Sequence, residues 1–354
     1  MRHHPLFIEK GDRLLADQGT LTIITPNNWL TINTNKKLRE FVLARSSILI
    51  VNFYARVFET ADVDSAILIY EKGSHNPHVR LLEYTDTFHE LKSAPASFFA
   101  SQRESLINIE MFKGDEDHYS MLSKIEAHSG LLSSIADVKV GLKAYQIGKG
   151  KPPQNEALKK ERRFHSSRNM DESYFKYLDG KDVCRYSLQW SGEYLKYGDH
   201  LAEPRRNFAL FSSKRILVRQ IPNKPPYCIH GCYAENTLLN DLNSLNVINI
   251  QADPLAILAV LNSRLISFWF VLKFGKLQRG LFPQFKANEL ADFPIPKKLS
   301  LYEKRLADLA GQATKIRCEN STADIKQIDS EIDRLVYKAF ELSADDIALI
   351  EAVH

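Results

Sequence analysis

Thr20-Leu21-Thr22-Ile23-Ile24-Thr25 is a short β-branched run that stops at Pro26-Asn27-Asn28. Side chains of this kind suit a half-buried pleated strand, and the Pro-Asn-Asn punctuation ends it. Upstream, Pro5–Leu15 reads as an amphipathic helix, with Leu6, Phe7, Leu14 and Leu15 on one face and Glu9, Lys10 and Arg13 outside. Asp17-Gln18-Gly19 breaks it. Downstream, Asn33–Arg45 reads as a second helix with Leu38, Phe41 and Val42 inward. Ser47–Phe53 and Val63–Tyr70 read as two more strands. Helix and strand alternate here, so the segment predicts part of an α/β sheet. The strand–turn–helix unit that opens a doubly wound sheet and binds its cofactor is expected before residue 5, and no such unit precedes it.

Further along, Val79–Tyr84 reads as a strand, and helical stretches are expected around Asp86–Phe99 and Asp117–Leu132. From about Ile135 short strands alternate with polar loops: Val138–Leu142, Val183–Tyr186, Arg215–Arg219 and Tyr227–Tyr233. Asp253 is a natural N-cap, with Pro254 at the first helical position, for a long helix over Pro254–Phe274. Phe293-Pro294-Ile295-Pro296 cannot be helix interior. The tail is helical over Leu301–Arg317, Asp324–Glu341 and Ser343–Val353, with Ser343 and Asp346 forming a capping start. Leu306, Leu309, Ile316, Ile325, Ile328, Ile332 and Leu335 are spaced for helix packing. They read first as a hairpin clamping the preceding domain, and otherwise as a partner surface. The fold class is therefore α/β plus mixed α+β. The expected segments are residues 1–75, a connector over 76–134, a domain over 135–299 and a helical tail over 300–354.

Of 354 residues, 44% are hydrophobic and 25% charged, with Gly 15 and Pro 14, which excludes a fibrous or largely disordered chain. Four cysteines exclude a disulfide scaffold and fit a reducing compartment. The longest apolar run, around Leu255–Leu261, is shorter than the about 20 residues of a membrane span. No signal-peptide core leads the chain, so a cytoplasmic location and no membrane partner are expected. The net charge of +4 is unevenly placed: 19 Lys and Arg against 9 Asp and Glu lie between Lys139 and Lys224, and the remainder is acidic. A basic block in an acidic chain suggests a polyanion-binding surface, although a solvated face would look the same.

The common small-molecule motifs are missing. Gly148-Lys149-Gly150-Lys151 lacks the spacing of a P-loop, and no Gly-x-Gly-x-x-Gly, Gly-x-Ser-x-Gly or His-Glu-x-x-His occurs. Cys228-Ile229-His230-Gly231-Cys232 has no second ligand pair near it, so it reads as a strand with buried thiols, and no metal is expected.

The ordered set of segments is more specific than any one motif. The helix at Pro5–Leu15, the strand at Leu21–Thr25, Pro26-Asn27-Asn28-Trp29-Leu30, and Arg56-Val57-Phe58-Glu59-Thr60-Ala61-Asp62-Val63-Asp64-Ser65-Ala66 come first. Leu201-Ala202-Glu203-Pro204-Arg205-Arg206, Lys214–Arg219, Ala256–Ser263, Phe282-Pro283-Gln284-Phe285 and Asp292-Phe293-Pro294-Ile295-Pro296 follow. Together they resemble the second half of the catalytic domain and the C-terminal specificity domain of TaqI-like adenine-specific DNA methyltransferases, including the type IIG restriction–modification enzymes. The resemblance covers roughly residues 5–72 and 135–300. It implies a partial Rossmann-like methyltransferase sheet followed by a DNA target-recognition domain.

The resemblance also implies a glycine-containing loop for S-adenosylmethionine and an Asn-Pro-Pro-Tyr tetrapeptide for the target adenine, both before residue 5. Neither is in these 354 residues; Lys224-Pro225-Pro226-Tyr227 lacks the Asn and sits in the wrong segment. The chain alone is therefore expected to bind no cofactor and to methylate nothing, and it reads as a cloned domain or a truncated reading frame. Phe58 occupies the position where the family places an aromatic against a flipped base. Trp29 could line the same cleft but reads first as core.

If the resemblance holds, the basic block grips double-stranded DNA. Lys149, Lys151, Lys159, Lys160, Arg162 and Arg163 are the expected phosphate contacts. Arg168, Asn169, Arg205, Arg206, Lys276, Gln278 and Arg279 are the expected base readers, because Arg matches guanine and Asn or Gln matches adenine with two groups each. Two other readings stand beside this one. A separate polypeptide could supply the missing half and complete an active enzyme in trans, or the chain could be a module that binds protein rather than DNA.

Overall fold

A computed structural model describes residues 4–54, 57–58, 63–73, 78–91, 93–101, 103–112, 118–274 and 284–352. Its contacts divide the chain into two units, Met1–Leu122 with Val271–Leu281, and Ser123–Phe270 with Phe282–His354.

The first unit runs α1 (His4–Leu14), β1 (Thr20–Pro26), α2 (Lys36–Leu43), β2 (Ser46–Phe53), β3 (Ser65–Glu71), β4 (His78–Tyr84), β5 (Phe88–Glu90), β6 (Ala94–Pro95) and α3 (Ala96–Ser101). The sheet order is β1-β3-β2-β4-β5, with β6 also on β4. β3 lies antiparallel between β1 and β2, Leu21 facing Tyr70 and Ile50 facing Leu68. β4 pairs parallel to β2 and so extends this sheet, so the stretch expected as a connector contributes strands here. Among the described residues β1 pairs only with β3 and so lies at the sheet's edge.

The expected apolar face of α1 is not the buried one. Leu6, Phe7 and Leu14 are 56%, 66% and 73% exposed, while Ile8 and Asp12 are buried. The reason is polar. Asp12 accepts from Arg45 at 2.7 and 3.0 Å and from the Tyr70 hydroxyl at 3.1 Å, while Lys72 donates to the Asp12 and Leu15 carbonyls. Burial pushes the Asp12 carboxyl up, but Arg45 and Tyr70 hold it below the usual carboxylate range. Gly11 lets this face close on Leu21, where a Cβ would meet the leucine side chain. Trp29 is core, as read: it is fully buried and its indole donates to Thr25 at 3.0 Å. Arg39, also fully buried, ties three segments by donating to the carbonyls of Trp29, Ile32 and Glu104.

The helix expected around Asp86–Phe99 is mostly a hairpin. Tyr84 faces Phe88 across β4 and β5 with ring centroids 4.8 Å apart, and helix begins only at Ala96. An aromatic cross-strand pair outweighs local helical spacing here.

The second unit begins with α4 (His118–Ala127, its first turn in the other unit), β7 (Ser129–Leu131), β8 (Asp137–Val140), α5 (Glu156–Lys160), β9 (His165–Ser166) and β10 (Tyr174–Leu178). β11 (Val183–Cys184), β12 (Ser187–Leu188), β13 (Tyr194–Lys196), α6 (Ala209–Ser212), β14 (Arg215–Arg219), β15 (Gly231–Ala234), β16 (Leu239–Asn240) and β17 (Ser244–Ile248) follow. Then come α7 (Pro254–Leu261), α8 (Arg264–Phe274, its last turn in the first unit), α9 (Ala287–Ala291), β18 (Pro294–Pro296), α10 (Glu303–Glu319), α11 (Lys326–Ala339) and α12 (Ala344–Ala352). One sheet is ordered β15-β14-β17-β8 and another β16-β10-β13-β9. Leu142, Tyr177, Leu195, Leu201, Phe211 and Leu239 form one core cluster; Leu178, Val183, Leu217, Cys232 and Leu238 form a second.

Three further expectations are corrected. The helix expected over Asp117–Leu132 ends at Ala127, because Ser129–Leu131 pairs with the proline-bounded β18. The strand expected over Tyr227–Tyr233 starts only at Gly231; Pro226 has no N–H to give a ladder, and the Cys228 N–H is taken by the Ser267 hydroxyl. The long helix over Pro254–Phe274 is two helices bent by 57°. Asp253 does cap α7, accepting from Leu255 N at 2.8 Å. At the break, the buried Asn262 turns its amide onto the Gly231 backbone, accepting from N and donating to O at 2.8 and 3.0 Å. Among the described residues no single helix is long and apolar enough to cross a membrane.

The tail helices pack into this unit. Leu306 and Leu309 on α10, and Ile332 and Leu335 on α11, are buried. The Ser343 hydroxyl and the Asp346 carboxylate bond each other's backbone N–H, the expected capping start of α12.

Candidate nucleic-acid interface

The basic block is not uniformly on the surface. Arg215 is fully buried, with its guanidinium donating to Asn246 and to the carbonyls of Phe211, Ser213 and Leu238; burial lowers its pKa to about 10. Arg185 sits at the β11–β12 turn, stacks 3.9 Å from the Tyr227 ring and pairs with Asp329. These two cations hold the fold together and offer nothing to a polyanion.

The loop carrying Lys149 and Lys151 is built around the buried amide of Gln154. That side chain accepts from Gln146 N at 2.8 Å and donates to the carbonyls of Ala144 and His200 at 2.9 and 2.7 Å. Gly150 has φ +85, and a Cβ there would run into the His200 carbonyl, so only glycine fits. The loop is therefore shaped from inside, and both lysines are left exposed. Asn155 caps the next turn, accepting from Leu158 N at 2.9 Å, and Lys159 and Lys160 stand exposed on α5.

Two of the expected phosphate contacts are already paired. Arg162 forks onto Glu193 at 2.9 and 2.7 Å, and Arg163 pairs with Glu161. Beneath them the Tyr145 and Phe164 rings stack 5.3 Å apart, and Tyr145 shares a hydrogen bond with His165. Burial, then Arg162, drives His165 down to about 4, so it is neutral near pH 7. Arg168 and Asn169 are exposed on the turn after β9, whose backbone is held by the Ser166 hydroxyl. Arg205 and Arg206 are brought beside Lys139 of β8, a cation the sequence reading missed. Its signal was the alternation of β8, which puts Lys139 outward between Val138 and Val140. Lys276, Gln278 and Arg279 lie outside the described residues. Phe58 is 42% exposed.

No described group of three or more His, Cys, Asp or Glu could hold a metal. Cys228 and Cys232 are buried, and burial drives the Cys228 thiol up to about 12. The nearest likeness to the adenine-binding tetrapeptide is not a base clamp. Tyr227 of Lys224-Pro225-Pro226-Tyr227 donates to Asp333 at 2.8 Å and has Arg185 over its ring. Tyr227 is thus committed within the fold rather than to a base.

Comparison with known families matches this layout at two places. Residues 3–58 match the Eco57I restriction-modification methylase family and residues 175–295 the TaqI-like C-terminal specificity domain. Residues 3–58 therefore resemble a restriction-modification methylase segment, and residues 175–295 resemble a TaqI-like specificity domain. The methylase match covers α1, β1, α2 and β2; the specificity match runs from β10 through β18. A curated relative, the type II methyltransferase M.TthHB8I of Thermus thermophilus, is 39% identical over 67 residues, which are 19% of this chain and 15% of that protein. The type IIL restriction-modification enzyme MmeI, solved in complex with DNA, aligns with 99% of this chain and 50% of its own at 8% identity and TM-score 0.50, a likeness of fold. The type IIG restriction endonuclease BpuSI aligns with 97% of this chain and 49% of its own, at 11% identity and TM-score 0.39. The chain thus spans about half the length of these two solved enzymes. Full-length methyltransferases of this family use S-adenosylmethionine.

Proposed function

We propose that this polypeptide binds double-stranded DNA sequence-specifically, as the target-recognition part of a type II, IIG-like adenine methyltransferase, and transfers no methyl group by itself. The observation that carries the reading is the specificity-domain match over residues 175–295, with Lys149, Lys151, Lys159 and Lys160 exposed on internally braced segments just before it. Lysines held outward by a rigid frame lose little further freedom on meeting phosphates. Arg168, Asn169, Lys276, Gln278 and Arg279 are the base readers of this proposal, and Phe58 is the ring against the extruded base. A restriction–modification protein works on DNA in the cytoplasm.

The test is fluorescence anisotropy on duplex DNA at 50 and 200 mM salt. Binding that weakens steeply with salt, and that an unlabelled duplex of one particular sequence competes away best, is expected. No measurable binding at 50 mM salt overturns the proposal and favours a protein-binding module.

One observation supports assembly in trans as a second reading. β1 is an uncharged edge strand carrying exposed Ile24, and α1, which precedes it in the chain, exposes Leu6, Phe7 and Leu14. Unprotected edges of this kind pair readily with another strand. Co-purification with a polypeptide carrying the glycine loop and Asn-Pro-Pro-Tyr, abolished by Thr22→Lys with Ile24→Lys, is the expected result. Methyl transfer by the present chain alone would contradict both readings.

A further inference from the structure

A groove of about 330 Å³ lies on the specificity-domain unit, with Lys139, Arg205 and Arg206 around it and Val140, Leu210 and Ile248 along its floor. Among the described residues its lining contains no carboxylate. Of the acids nearby, Asp137, two residues before Lys139 on β8, accepts from Asn249 at 2.7 Å, and Glu203 pairs at 3.1 Å with Arg205, partly offsetting that one cation and leaving Lys139 and Arg206 as the main charges of the groove.

Arg205 is fixed before any ligand arrives. Its φ is +65, its carbonyl accepts from the Tyr197 hydroxyl at 2.5 Å, and its Nε donates to the Gly141 carbonyl at 2.8 Å. Nε and one Nη position are thereby committed. Arg205 therefore enters as a cation already held in place, and its remaining Nη hydrogens can still meet an oxyanion. Arg206 and Lys139 are exposed at the rim.

From this geometry we infer that the groove seats one sugar–phosphate unit of the DNA backbone. The phosphate meets Lys139, Arg205 and Arg206, and the deoxyribose covers the apolar floor. Arg205 and Arg206 then position the duplex rather than read its bases, which reverses the sequence-based expectation for both. The inference rests on the DNA-binding reading above and specifies where on this unit the backbone is held. Two cations with a third already braced make a phosphodiester seat. The apolar floor favours a nucleotide over a free inorganic anion, which would leave that surface wet.

The experiment uses the full chain with Lys139→Ala and Arg206→Ala combined, both exposed positions, and Lys304→Ala with Lys326→Ala as a control for general charge. Affinity is measured by anisotropy on the preferred duplex and on a scrambled duplex across a salt series. The groove variant is expected to weaken both duplexes by the same factor, about tenfold at low salt. The slope of log affinity against log salt should become shallower by about 1 to 2, and the control should change neither. Loss confined to the preferred duplex would return Arg206 to base reading and overturn the inference. An unchanged affinity and slope would overturn it too, while leaving DNA binding by the wild type intact. Failure of the wild-type chain to bind any duplex would instead sink the underlying reading. Competition by 10 mM inorganic phosphate against chloride at matched ionic strength separates the sources: equal curves are expected, and a phosphate-specific loss of DNA would mark a free-anion site.

Discussion

Arg185 and Asp329 meet in a two-pronged ion pair, with Nη1 and Nη2 donating at 2.8 and 2.7 Å, and both side chains are nearly enclosed. The pair ties the turn between β11 and β12 to α11, 144 residues along the chain. Arg185 also donates from Nε to the Asn262 carbonyl at 3.0 Å. The tail helix is thus fastened to the specificity-domain unit at the same point where α7 breaks into α8.

Removing one partner of an enclosed pair leaves the other charge stranded. Asp329→Ala is therefore expected to lower stability by about 3–5 kcal/mol, and Arg185→Ala by a similar amount. In urea unfolding, the double variant should fall well short of the sum of the two. Fully additive losses would show that the two side chains do not act as a pair.

Burial, opposed by hydrogen bonds from Asn243 and helped by Asp179 and Asp182, pushes the Asp241 carboxyl up to about 6. An unfolded aspartate titrates near ~3.9. Between about pH 4 and pH 6 the folded chain keeps a proton that the unfolded chain has released. The contribution from this group is therefore full below pH 4 and is lost as pH rises through 6. The change is on the order of 3 kcal/mol. Unfolding midpoints at pH 4.5, 5.5 and 6.5 should fall more steeply for the wild type than for Asp241→Asn; parallel profiles would contradict the assignment.

The Asn262 side chain accepts from the Gly231 N–H, and both residues are buried. Asn262→Leu keeps the number of side-chain heavy atoms but strands that donor, at about 1–3 kcal/mol. Its amide protons should exchange faster around Gly231 than around β17. Asn262→Asp keeps the acceptor but buries a charge, so its deficit should shrink as the pH is lowered.

The salt bridge from Arg162 to Glu193 withholds a cation from DNA. Glu193→Gln is expected to tighten non-specific duplex binding a few-fold at 50 mM salt and to steepen the salt slope by up to about 1. Lys159→Ala with Lys160→Ala should do the opposite, by about 1 to 2 in slope. No change in either direction would remove the α5 face from the interface.

The sheet strands and tail helices were legible because their apolar periodicity is local and long. β14 was bounded to the residue, and Ser343 with Asp346 marked the start of α12. The bend at Asn262 was not legible, because the residue that causes it acts on Gly231, 31 positions away. The outward turn of Leu6, Phe7 and Leu14 was hidden for the same reason: Asp12 is drawn inward by Arg45 and Tyr70 from other elements. Charge counting found the basic block but could not tell Arg215, an internal brace, from Lys149, a surface group. β10 and β13 escaped notice because their short runs mix aromatic and charged residues, and β17 because Asn246 interrupts its apolar run; each forms a strand through its partners.

The parallel pairing of β4 with β2 dictates where this polypeptide can be cut and recombined. A chimaera joined near residue 75 would strip β4 from β2 and leave a raw seam of backbone groups inside the first unit. A junction near Leu122 spares that seam, but the last turn of α8 from Val271 belongs to the first unit, so a transplanted specificity half must carry that turn in its host's version. Exchange of recognition between such proteins is a two-splice operation rather than a single graft.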